Sequence, residues 1–126
     1  MRLDLVYLIA GAVLGVLMRY YITGDNLFIG SLPASVLIVN IIGSFILGAS
    51  AAAVAGLGLG QDYTLFIGIG FCGTLTTMST FAYESMNLAG VGEFATAGAY
   101  IFLNVGCSFG AILLGRALVN LLIGLG

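Results

Sequence analysis

Apolar stretches long enough to cross a lipid bilayer occupy nearly all of this chain, and that feature alone decides what it can fold into. Only three basic and five acidic side chains are spread over 126 residues, 6% charged against 61% hydrophobic. A water-facing domain carries about 25% charged residues, so this chain cannot clothe itself for water, and lipid is the solvent that suits it. The formal net charge of −2 leaves no basic patch for nucleic acid or anionic lipid. With no histidine and two cysteines, imidazole acid–base chemistry and the common transition-metal sites are excluded. Cys72 and Cys107 sit in apolar runs, where cysteine acts as a small buried hydrophobe rather than half of a disulfide frame. No nucleophile–base pair or cofactor motif suggests an enzyme.

At about 20 apolar residues per crossing, four segments are expected. The first runs from about Leu5 to Ile22 and ends in Thr23-Gly24-Asp25-Asn26. The second runs from about Phe28 to Gly56, with Pro33 in its first turns, where proline costs least. The third runs from about Tyr63 to Ala89 and the fourth from about Phe94 to Leu122. Arg2 precedes the first segment much as in a signal peptide, but further apolar spans follow, so it reads as a retained helix. The expectation is one all-α integral membrane domain over residues 1–126, a multi-pass protein of the cell membrane. Gly11/Gly15 and Gly106/Gly110 have the small-xxx-small spacing of close helix contacts.

Positive residues mark the cytoplasmic side. With four spans, Arg2 and Arg116 fall on one side and Arg19 on the other. Two against one is a weak bias, so a single orientation and insertion both ways up are both open, and the latter permits an antiparallel homodimer. Four helices alone pack into a filled bundle; a pathway forms more naturally between copies.

Polar residues at membrane depth are the informative ones. Asn40, mid-way along the second segment, serves either as an interhelical hydrogen bond or as a donor aimed into a pore. The third segment carries Gly70-Phe71-Cys72-Gly73-Thr74-Leu75-Thr76-Thr77-Met78-Ser79-Thr80-Phe81, whose glycines and threonines are weak helix formers. It is compatible with a helix broken at mid-membrane, whose freed carbonyls suit a hard cation such as sodium. It is equally compatible with a continuous helix whose hydroxyls bond back to their own backbone. Thr77, Thr80 and Glu84 share one helical face, as do Tyr100, Asn104 and Ser108. Such stripes either line a wet path or bond to each other. Met78 and Phe81 lie on a different face. A phenyl ring has a positive edge that can meet an anion, although packing is the commoner role. Arg19, at the end of the first segment, either snorkels to the headgroups or braces a neighbouring helix end.

Three blocks together resemble the Fluc (CrcB) family of fluoride channels: Gly11-Ala12-Val13-Leu14-Gly15-Val16-Leu17-Met18-Arg19-Tyr20, Val39-Asn40-Ile41-Ile42-Gly43-Ser44-Phe45-Ile46-Leu47-Gly48, and Gly70 through Glu84. The resemblance implies an antiparallel, dual-topology homodimer with two pores for fluoride export and a structural sodium ion at its centre. It implies that the backbone carbonyls of Gly73 and Thr76 hold that ion. It further implies a fluoride pathway along Asn40, Phe81, Thr80, Glu84, Tyr100, Asn104 and Ser108, with Arg19 in the vestibule. Met78 stands where the family has its first pore phenylalanine and supplies no ring edge. Asn104 stands where relatives carry a smaller hydroxyl residue. The competing expectations are a small dual-topology multidrug-type transporter and one subunit of a heterodimeric fluoride channel. The first relies on a carboxylate inside the first helix, where this chain has only Asp4 at its start.

Overall fold

The computed structural model describes residues 2–124, with the Arg2 side chain, counted in the orientation argument, outside what is described. Four helical spans dominate it, Leu3–Gly24, Ser35–Leu57, Gln61–Gly90 and Phe94–Leu122, each long and apolar enough to cross a membrane. Helix α1 is Arg2–Gly24, α2 is Ser35–Leu57 and α6 is Phe94–Leu122. The third span is composite: α3 (Gln61–Tyr63), a π-helical stretch over Thr64–Cys72, α4 (Gly73–Leu75) and α5 (Met78–Gly90). Between α4 and α5 the backbone is extended, with ψ of 154° at Thr76 and 117° at Thr77.

The second span differs from the sequence expectation at its start. Phe28 and Pro33 are not helical: β1 (Phe28–Ile29) and β2 (Leu32–Pro33) form an antiparallel hairpin. Gly30 turns the chain with φ of +65°, a conformation glycine adopts without a Cβ penalty. Pro33 lacks an N–H and suits the edge of so short a sheet. Ser35 then ties the hairpin to α2. Its hydroxyl accepts from the Leu27 N–H and donates to the Asp25 carbonyl, both at 3.0 Å. At the other end Gly58 stops α2 in the left-handed conformation, its N–H donating to the Val54 carbonyl.

Two helix pairings build the bundle, and glycine permits both. α2 packs along α6. A Cβ on Gly48 would stand 2.0 Å from the Ile112 carbonyl oxygen, and one on Gly115 would stand 2.1 Å from that of Phe45. α1 packs on the π-helical stretch and α4. There a Cβ on Gly11 would meet the Phe66 carbonyl oxygen at 2.0 Å, and one on Gly15 the Thr74 hydroxyl at 2.2 Å. Thr74 reinforces the seam, its hydroxyl shared between the carbonyls of Gly70 (2.8 Å) and Ala12 (3.0 Å). Gly106 and Gly110 of α6, by contrast, face open space. Their spacing alone could not say which face of α6 meets a neighbour in the same chain.

Candidate functional site

The extended Thr76–Thr77 segment places a ring of polar groups between α2, α5 and α6. Thr77 caps α5, its hydroxyl oxygen accepting the Thr80 N–H at 3.3 Å and its hydroxyl donating to Thr80 Oγ1 at 3.1 Å. Asn40, from α2, meets Thr77 twice. Its Oδ1 accepts the Thr77 N–H at 2.9 Å and its Nδ2 donates to the Thr77 carbonyl at 3.4 Å. Nδ2 also donates to Asn104 Oδ1 at 3.0 Å, and Asn104 Nδ2 donates to the Tyr100 carbonyl at 3.2 Å. The interhelical bond expected of Asn40 is therefore present.

A groove of about 290 Å³ opens beside this network, lined among others by Asn40, Met78, Phe81, Asn104 and Ser108. Gly43, Ser44 and Phe109 also line it and were not singled out from the sequence. Ser44 lies one helical turn beyond Asn40, a signal that was available. Met78 and Phe109, 73% and 68% exposed, sit at the rim. Phe81, by contrast, is buried against Tyr100, ring centroids 5.5 Å apart and tilted by 51°.

Glu84 does not line this groove. It lies beside Phe28, Pro33 and Asn87 on a second cavity of about 270 Å³ next to the hairpin. The Tyr100 hydroxyl donates to Glu84 Oε2, so for this pair the two polar stripes do bond to each other. The Phe81–Tyr100 ring pair links the two hollows, Phe81 lining one and Tyr100 bonding to Glu84 on the other. Thr80 is exposed and engaged with Thr77.

Arg19 of α1 also reaches the backbone of the extended segment, its Nη1 donating to the Thr76 carbonyl at 3.4 Å. The brace to another helix end is what Arg19 makes here. Gly73, just before, is exposed. In a continuing helix the Thr77 N–H would close on the Gly73 carbonyl. Here that donor is committed to Asn40 and does not close on the Gly73 carbonyl.

Comparison with known proteins gives a consistent result. The family described as CrcB-like protein, Camphor Resistance (CrcB), matches residues 6–116. A fluoride-specific ion channel FluC of Nitrosopumilus maritimus is 46% identical over 121 residues, covering 96% of both chains. Proteins of the same name from Methanococcus maripaludis and Pyrococcus furiosus are 40% and 37% identical, covering 84% and 93% of this chain and 87% and 96% of their own lengths.

Proposed function

The chain belongs to the CrcB-like family, and from that premise we propose that it is a multi-pass membrane channel, not an enzyme, that conducts fluoride passively out of the cell. The observation that carries this reading is the groove itself: its polar lining is uncharged, made of amides and hydroxyls set among apolar side chains and the rings of Phe81 and Phe109. A small, strongly hydrated anion must exchange water for donors that hold it weakly enough to let it leave. Amide N–H, hydroxyl groups and the positive edge of Phe81 are of that kind.

The pathway passes Asn40, Met78, Phe81, Asn104 and Ser108, and crosses the Phe81–Tyr100 ring pair toward Thr80 and Glu84. Met78, flexible and at the rim, replaces a ring edge with a polarisable thioether. Two copies related antiparallel complete the wall. The open groove, the exposed Met78 and Phe109, and the vacant Cβ positions of Gly106 and Gly110 support this arrangement. In it the Thr76–Thr77 segment lies at membrane depth, where extended backbone is tolerated only against protein or a wet cavity.

The Gly73 and Thr76 carbonyls are the groups that would hold a central sodium ion. The Gly73 oxygen does not take the Thr77 N–H, and a helix-end carbonyl is the kind of group that suits a hard cation. The Thr76 oxygen also accepts from Arg19, which would stand as a like charge beside a cation held there. A bound sodium ion would supply positive charge that ties the two copies together; Arg19 supplies a positive charge within each.

The test is fluoride efflux from liposomes holding the purified protein, with chloride as control. Rapid fluoride loss without chloride loss is expected; no fluoride loss from a well-folded dimer would defeat the proposal. Phe81→Ile removes the ring edge. Taking the ring edge to hold the ion about as strongly as it holds another ring, up to about 1.5 kcal/mol, flux is expected to fall by up to about tenfold in a protein that still elutes as a single species. Unchanged flux would take the ring out of the mechanism.

A further inference from the structure

The hydrogen bonds around Asn40 admit one arrangement only. The Thr77 N–H can only donate, so the Asn40 atom 2.9 Å away is the oxygen. The Tyr100 carbonyl can only accept, so the Asn104 atom 3.2 Å from it is the nitrogen. Asn104 therefore presents its oxygen to Asn40 Nδ2, at 3.0 Å, and neither amide can flip without opposing like groups. Asn104 is itself only 4% exposed and is fixed by the backbone of α6.

Both hydrogens of the Asn40 amide are consequently engaged, and unequally. The bond to Asn104 is 3.0 Å long, and the bond to the Thr77 carbonyl is 3.4 Å long. The longer bond is the weaker. We infer that Asn104 is a positioning residue: it holds the Asn40 amide in one orientation, so that an anion in the groove takes the hydrogen now lent to the Thr77 carbonyl. The ion replaces one acceptor with another, and Asn40 need not turn. The same restraint keeps Asn40 Oδ1 on the Thr77 N–H, and so keeps the extended segment in place.

This rests on the conduction proposed above, and two readouts keep the two apart. The first is hydrogen exchange at the Thr77 amide in the intact protein, which needs no transport. The second is fluoride efflux as a function of fluoride concentration. In Asn104→Ala, Thr77 exchange is expected to quicken by about fivefold or more, the loss of one restrained hydrogen bond. Flux is expected to fall, with half-saturation moving to higher fluoride concentration. Asn104→Asp retains the acceptor for Asn40 but loses the donor to Tyr100, and separates orientation from charge: it should keep more Thr77 protection than Asn104→Ala while conducting poorly.

Lower flux in Asn104→Ala with unchanged Thr77 exchange would mean that Asn104 meets the ion directly, and would overturn the positioning role. Unchanged flux and exchange would overturn it too. If the unaltered protein conducted no fluoride, the channel reading would fall. Unchanged Thr77 exchange in Asn104→Ala would then refute the restraint, and faster exchange would uphold it.

Discussion

Replacing Asn40 with aspartate is expected to abolish fluoride flux, by at least about 100-fold, and to loosen the joint between α2, α5 and α6. The carboxylate keeps the acceptor for the Thr77 N–H but loses both donors. Its second oxygen then faces the Asn104 oxygen and the Thr77 carbonyl, two acceptors with nothing between them. An anion in the groove also meets a like charge; at about 4 Å that repulsion is about 4 kcal/mol in a surroundings of intermediate polarity. By itself this lowers occupancy by more than ~100-fold. Efflux from liposomes, read beside elution of the purified protein, checks both parts. Unchanged conduction would put Asn40 off the pathway.

The second large effect is on stability. Gly48→Ala and Gly115→Ala each drive a methyl group to about 2 Å from a carbonyl oxygen on the facing helix, and backbone cannot move aside as a side chain can. The pair must part or shift register. Overpacking of a tight core costs about 1–3 kcal/mol and sometimes more, and these positions belong at or above the upper end. Stability of the helical bundle in detergent against added denaturant is the measure. Gly98→Ala, in the same helix, is the control, since nothing lies within 4 Å of the methyl group it would add. Equal loss in Gly98→Ala would mean that the contact between α2 and α6 is not the one that decides stability.

The four spans were legible because hydropathy over about 20 residues averages away local irregularity. The fourth, from Phe94 to Leu122, has the expected limits. The start of the second was misread because Leu27 through Pro33 is as apolar as a helix, and only Gly30-Ser31 hints at a turn. The π winding over Thr64–Cys72 has no counterpart in composition; the close approach of α1 at Gly70 accompanies it. Of the site, the polar residue types were visible and several do meet at one groove. Their partners were not. That Asn40 grips the Thr77 peptide, that Glu84 lies on a separate hollow and that Arg19 reaches Thr76 all depend on how far helices rotate about their axes. A small difference in rotation leaves spacing along the chain unchanged.

The glycine contact between α2 and α6 also has a bearing on how the chain is made. Gly48 and Gly115 are 67 residues apart (115 minus 48). At roughly 5–20 residues per second, the ribosome needs roughly 3–13 s to deliver the second after the first. Over that interval α2 is without the helix that its Gly48 meets in the folded chain. Biogenesis thus includes a waiting period in which the second span has been made but cannot yet dock on the fourth.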